Sequence, residues 1–267
     1  MKISVITPSV RPEMLEIVKR CLNRQTFKDF EWLIVGPDSI SKDIWLLLDD
    51  DRFNFIQEPQ KQKGDYYNLN KAWNKAFLEA KGELIVSIVD GLWFEPDLLD
   101  KLWTHYEVNP KAIISGIGHQ YDRIENGKPE HMVWQDLRIN FSEKFFFETE
   151  PNHIELCVAS IPMKAICDVK GFKEIYDIGA ALSEKEMCVR MGKRGYKFYI
   201  DKSLEYRAIR HKRLGGEENW NKHYQIAVEL FNKHIQEINN GQGLQGDLCL
   251  QENIQEPRNI EKLSVKQ

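Results

Sequence analysis

The chain has 267 residues and a net charge of −4 at neutral pH, enough length to bury the core of one large α/β domain or two small ones. The mildly acidic balance excludes the basic footprint of a nucleic-acid binder. Five cysteines, Cys21, Cys157, Cys167, Cys188 and Cys249, are irregularly spaced without a CxxC pair, which argues against a disulfide framework or a zinc site and predicts reduced thiols in a cytoplasmic protein.

Taken in chain order, residues 3–8 read as a first strand that ends in a proline-containing loop, Ser9-Val10-Arg11-Pro12. A helix follows from about Glu13, with Met14, Ile17, Val18, Cys21 and Leu22 on one face at i, i+3, i+4, i+7, i+8 spacing. Residues 31–35 form a second strand, ending at Gly36-Pro37-Asp38-Ser39. Strand, helix and strand with short connections predict a right-handed βαβ unit, with the first loop and the end of the second strand on the edge where a ligand sits. Residues 40–48 read as a helix and 54–56 as a short strand. Asp49-Asp50-Asp51 between them reads as solvated surface, away from that edge. Gly64-Asp65 opens a helix expected over residues 66–80, with Leu69, Ala72, Trp73, Ala76 and Phe77 as its buried stripe and Asn70 and Asn74 sharing another face.

Residues 84–89, LIVSIV, are a continuous apolar run rich in β-branched side chains and too short for a core helix, so they read as a buried central strand. The run stops on Asp90. Ligands of open α/β sheets bind outside the carboxyl ends of the strands, so a carboxylate there is a candidate for holding a metal or a substrate. A loop over 91–97 leads into a helix from Leu98, started by Pro96 and Asp97. A strand at 112–116 precedes a hairpin turned by Asn126-Gly127. Residues 220–237 are an amphipathic helix with Tyr224, Ala227, Val228, Phe231 and Ile235 on one side, expected to pack on the domain. Residues 239–267 turn to Gly, Gln, Asn and charge and are expected to be a flexible tail. No run reaches the roughly 18 apolar residues of a spanning helix. Met1-Lys2 leads into a strand without a signal-peptide core, so neither a leader nor a membrane span is expected, and any membrane contact is left to a surface or a partner.

Several of these segments, in order, resemble the inverting family 2 glycosyltransferases of the glycosyltransferase A fold. The opening ISVITPSVRPEMLEIVKRCLNRQTFKDFEWLIVGPDS is similar to that family's first βαβ unit. Asn74-Lys75-Ala76-Phe77 with Ala80-Lys81-Gly82-Glu83 is similar to its segment before the central strand. Ser160-Ile161-Pro162-Met163 with Gly171-Phe172-Lys173-Glu174 resembles its acceptor-side strand and turn. Residues 183–190 with Gly195-Tyr196-Lys197 resemble its Glu-Asp-x-Glu-Leu-x-x-Arg helix. The resemblance covers about residues 2–212. It implies one α/β domain with an open, mainly parallel sheet and helices on both faces: a nucleotide-sugar half over 1–103, an acceptor half over 104–214 and a C-terminal helix over 215–238.

The resemblance also implies a nucleoside-diphosphate sugar donor and a glycan or lipid-linked acceptor. The leaving diphosphate gains negative charge, which calls for a divalent cation or fixed positive groups. Asp90 matches the first carboxylate of the family's Asp-x-Asp, but Leu92 stands at the second. Mn²⁺ or Mg²⁺ is therefore expected on Asp90 and His211 with the phosphates, or metal dependence is weak. Glu184 matches the general base that takes the acceptor's proton, with Glu186 as the neighbouring alternative. Pro8, Ser9 and Arg11, with Asp38, Asp65 and Asn74, are expected around the donor, and Trp134 and Asp136 around the acceptor sugar. Leu92, Gly36 and Ser183 depart from the family pattern, and they motivate the alternative of a domain that binds nucleotide-sugar or glycan without turnover. A sugar-phosphate nucleotidyltransferase would need a glycine-rich basic loop after the first strand, and an NAD domain Gly-x-Gly-x-x-Gly; neither is present.

Overall fold

The computed structural model describes residues 1–249 apart from Leu46 and residues 212–214. In chain order the elements begin with β1 (Ile3–Pro8), α1 (Pro12–Asn23), β2 (Phe30–Gly36), α2 (Ser41–Trp45), β3 (Phe53–Gln57), α3 (Leu69–Glu79) and β4 (Leu84–Ile88). They continue with β5 (Leu92–Phe94), α4 (Leu98–Val108), β6 (Ala112–Glu125), β7 (Lys128–Trp134), β8 (Phe146–Thr149) and β9 (Val158–Pro162). The chain closes with α5 (Met163–Val169), α6 (Ser183–Lys193), β10 (Lys197–Ile209) and α7 (Gly216–Asn239).

One sheet runs β3-β2-β1-β4-β9-β6-β10-β5, with β7 added to β6 and β8 to β10. The four strands β3, β2, β1 and β4 are mutually parallel, β9 runs against β4 and β6, and β10 is parallel to β6. Alternate residues of the central strands enter opposite cores, as the period-2 geometry of a strand requires. Ile3, Val5, Trp32, Ile34, Leu84, Val86 and Ile88 face one core, shared with Leu15, Val18 and Leu22 of α1 and Leu99 and Leu102 of α4. Ile6, Leu33, Val35 and Ile85 face the other, shared with Trp73 and Phe77 of α3, Ile166 of α5 and Met187 and Met191 of α6. Cover on both faces is what permits a continuous apolar run such as residues 84–89.

The hairpin forms at Asn126-Gly127, both with positive φ (51° and 75°), joining Glu125 directly to Lys128. This is the two-residue loop whose left-handed backbone favours Asn-Gly. Elsewhere four local expectations are corrected. The helix expected over 40–48 is a 3-10 turn, Asp38–Ile40, followed by the short α2. Residues 92–94, expected as loop, pair with Tyr206, Arg207 and Ala208 of β10 as a strand. α3 begins at Leu69 rather than 66, because the backbone amides of Tyr66 and Tyr67 both donate to the carbonyl of Asp177, which holds that segment out of the helix. The tail expected from residue 239 is ordered at first: Gly246 N donates to Val169 O, Leu248 N to Lys170 O, and Leu248 is buried in the core beside α3 and α5. A single leucine in a polar segment found an apolar seat. The remainder of that tail, residues 250–267, lies outside the described residues.

Asp177 also caps α3 from a distant loop. Its fully buried carboxylate accepts from the backbone N–H of Asn70 (2.8 Å) and Lys71 (3.2 Å) and from Asn70 Nδ2 (2.9 Å). These are amides of the first helical turn, which have no partner within the helix. Burial pushes the carboxyl up to about 6, against the pull of the two backbone amides and Lys71. Asp177→Ala leaves those donors buried without an acceptor and is expected to destabilise the protein by about 1–3 kcal/mol, read from urea unfolding; a loss within error of zero would remove Asp177 from this role.

Candidate active site

The carboxyl ends of β1, β2, β3 and β4 point to one edge, and the loops leaving them enclose a cleft of about 1230 Å³. Ordinary ligand pockets span roughly 300–1,000 Å³, so this one has room for a nucleotide with a further group attached. Pro8, Ser9 and Arg11 line it from the β1 loop, Asp38 from the β2 loop, Asp65 from the segment before α3, Asp90 from the end of β4 and His211 from beyond β10. Seven residues expected at the site from five separate stretches of chain are thus brought together.

At the floor lies Asp90, 6% exposed. Its Oδ2 accepts from Ser9 Oγ (2.6 Å) and Arg11 Nε (3.2 Å), and its Oδ1 from Arg11 Nη2 (2.7 Å). The Arg11 backbone N–H donates to Ser9 Oγ at 2.9 Å, so the hydroxyl ties loop and carboxylate together. The following residue, Gly91, is pinned on both sides: its N–H donates to Met14 O in α1, and its carbonyl accepts from Ile209 N at the end of β10. The carboxylate is therefore fixed by three elements. As a divalent-cation site this donor set does not fit. Both oxygens of the one carboxylate are already engaged by Ser9 and Arg11, and Leu92, at the second acidic position of the resembled motif, is 1% exposed in the core. Among the described residues no three His, Cys, Asp or Glu side chains gather as a metal site.

Gly36 explains the shifted acid after β2. A Cβ there would run into the carbonyl oxygen of Ser9 and meet Ile40 Cδ1 at 2.9 Å. The β1 loop lies directly on the end of β2, held by Ser9 N donating to Val35 O (2.9 Å), so only glycine fits and the acid falls to exposed Asp38. Asp65 is engaged by Lys71 Nζ (2.6 Å) and by Gln62 N. Burial would raise its carboxyl, but those contacts hold it below the ordinary range.

Four expected site residues stand elsewhere. Asn74 does not line the cleft: its amide brackets Phe172, accepting from the backbone N and donating to the carbonyl, and also donates to Glu174. Asp136 is buried; it caps the turn Leu137–Asn140 by accepting from Arg138 N, grips the Arg138 guanidinium and accepts from Gly118 N. Its oxygens are spent on structure, so it does not fit as an acceptor contact. Trp134 ends β7 opposite Gln120 and is 46% exposed, outside the cleft.

Glu184, matched to the general base, sits in the first turn of α6 and does not line the cleft that holds Ser9 and Asp90. Burial and the nearby Glu155 carboxylate push it above the ordinary range. The same two carboxylates, after burial, help to push the Cys157 thiol up to about 12, and the Cys157 carbonyl accepts from Val89 N, the residue before Asp90. Glu186, the alternative base, is fully buried between Arg190 and Lys173 and is structural.

The structure adds a wall the sequence did not suggest. Asn219, Trp220 and His223 of α7 line the cleft, and the His223 ring stacks on Tyr66 at 4.0 Å. Lys61, also lining it, donates to Tyr66 O. Trp220 shares the face of Tyr224, on which its ring stacks, with Asn219 and His223 at the border of that face, so the apolar pattern reads there as a packing surface. In the structure Ala227, His234 and Ile238 carry the burial.

A sheet with helices on both faces and a cleft over the ends of its parallel strands defines an α/β domain of glycosyltransferase A type. The sequence matches the family described as glycosyl transferase family 2 over residues 4–168, more than half its length, and the chain belongs to that family. Two crystal structures of S. aureus TarS share the fold at 14% identity, which is a likeness of fold alone. One has a TM-score of 0.55, with 88% of this chain and 40% of that chain covered. The other, of TarS 1–349, has a TM-score of 0.56, with 88% and 65% covered. The chain thus spans less than two thirds of either. None of the curated proteins compared with the sequence matches it.

Gly36→Ala forces the added methyl against the Ser9 backbone, which is tied to Val35 and cannot easily yield. Overpacking of this kind is expected to destabilise by about 1–3 kcal/mol and to lower the melting temperature by roughly 2–4 °C per kcal/mol. A melting temperature unchanged in calorimetry would show that the loop is free to move.

Proposed function

We propose that the protein moves a sugar from a nucleoside-diphosphate donor to a hydroxyl of a glycan or lipid-linked acceptor, with inversion at the anomeric carbon. The observation that carries this reading is the convergence of Ser9, Arg11 and Asp90 at the tip of the central strand, inside a cleft large enough for the donor. Arg11 offers a permanent positive charge to the diphosphate. Tyr66 stacked on His223 offers a flat face to the nucleoside.

In the reaction the acceptor oxygen attacks the anomeric carbon and forms the new glycosidic bond. The bond from that carbon to the β-phosphate oxygen breaks, and its electron pair stays with the leaving diphosphate. The acceptor's proton goes to the Glu184 carboxylate, whose affinity for protons is raised by burial and the nearby Glu155. Trp134, exposed on the β7 hairpin, is retained as a surface for an acceptor sugar. A cytoplasmic setting belongs to the same reading; no helix among the described residues is long and apolar enough to cross a membrane.

A second reading, binding of nucleotide-sugar without turnover, is favoured by the position of Glu184 outside the cleft lining. A panel of nucleotide sugars incubated with the pure protein and candidate acceptors separates the two. Transfer is expected to release nucleoside diphosphate, and Glu184→Gln to lower kcat by about 10²–10⁴-fold while donor binding is kept. Since the carboxyl must be ionised to act, kcat/KM should fall as the pH drops through a value above the ordinary glutamate range. Donor binding without release of diphosphate would favour the second reading; no donor bound at all would end both.

A further inference from the structure

We infer that Arg11, held by Asp90 and Ser9, takes the place of a divalent cation at the donor diphosphate, so that this protein binds its donor without a metal ion. The inference rests on the nucleotide-sugar reading above. Its ground is the use to which the one matching carboxylate is put. Asp90 meets the guanidinium edge-on through Nε and Nη2, and Ser9 takes the remaining close contact. A cation brought to Asp90 would lie against a fixed positive charge, like against like, and the second acidic position of the resembled motif cannot offset it because Leu92 stands there, packed in the core.

The same geometry makes Arg11 suited to the work the metal would do. The fork on Asp90 uses one edge of the guanidinium, and Nη1 has no partner among the described residues. The Arg11 side chain is 23% exposed and lines the cleft. It is also held at its base, because its backbone N–H is bonded to Ser9 and Pro12 begins α1 directly after it. A planar, permanently charged fork fixed on one edge presents the other to phosphate oxygens, and donors oriented in advance stabilise developing charge without reorganisation. Asp90 is then a positioning residue that acts through Arg11. Lys61, His211 and His223 line the same cleft and stand as further partners for the anion.

The test is calorimetric binding of uridine and guanosine diphosphates to the full chain, once in EDTA and once in Mn²⁺, with folding of each variant checked by circular dichroism. The affinity for the diphosphate that binds is expected to agree within about twofold between the two conditions. Arg11→Ala should weaken it about tenfold or more in both, since a charge-assisted contact is lost. Arg11→Lys should recover only part of that loss, because an ammonium cannot hold Asp90 and a phosphate as a fork does. Asp90→Asn should weaken binding several-fold in both conditions by loosening Arg11. Binding that disappears in EDTA and returns with Mn²⁺ would overturn the inference and leave the nucleotide-sugar reading standing. So would an Arg11→Ala variant whose Mn²⁺-supported binding is kept or tightened. Failure of both diphosphates to bind in either condition would overturn the inference together with the reading beneath it.

Discussion

The buried contact between Asp90 and Arg11 is the constraint on which the rest of this site depends. A carboxylate at 6% exposure is stable only if its charge is met, and here the guanidinium and the Ser9 hydroxyl meet it within one loop. The arrangement joins the first and fourth strands of the chain at a point where both end, and so it fixes the β1 loop over the cleft. Gly36 completes the fit by letting that loop lie on the end of β2. What looks like a missing acid in the sequence is a place where backbone must touch backbone.

The two halves of the domain are coupled by polar contacts as much as by the shared sheet. Asp177, far along the chain, holds the start of α3 and the Tyr66-Tyr67 segment that forms one wall of the cleft. Asn74 reaches the other way, from α3 to the backbone of Phe172. Ala180 N donates to His223 O, which ties α7 to the same loop. Each of these groups would be expensive to bury alone, and each is satisfied across the halves. The consequence is that the cleft is shaped by residues about a hundred positions away from those that line it.

Membership of glycosyl transferase family 2 accounts for the order of these elements, and two departures from the resembled pattern, Gly36 and Leu92, lie within two residues of the cleft lining. Leu92 sits in a short strand that pairs with β10, where an acid would be buried in the apolar core. The local rule gives way where a different packing solution is in place, and the loss of the second acid of the resembled motif coincides with an arginine fixed against the first. The mild acidity of the whole chain is not a guide to this cleft, where the charge balance is set pair by pair.

Strand and helix periodicity determined the parallel half of the sheet, because a two-sided core demands unbroken apolar strands and helices with one apolar stripe. Residues 3–8, 84–88 and the Asn126-Gly127 turn could be read directly from the chain for that reason. Pro8, Ser9, Arg11, Asp38 and Asp90 follow the ends of strands on one edge, Asp65 and His211 came with the family resemblance, and all seven line the cleft. Only the tertiary structure decided which polar residues face the cleft and which are taken up by the fold. Asn74 and Asp136 are of the right type to bind a sugar, yet their hydrogen bonds are used up by Phe172, Arg138 and Gly118. Tyr66 and His223 gave no local signal, since they meet only when α7 folds back over the loop before α3. Spacing along a chain reports the face a residue occupies, whereas its partners depend on which distant segment is brought against that face.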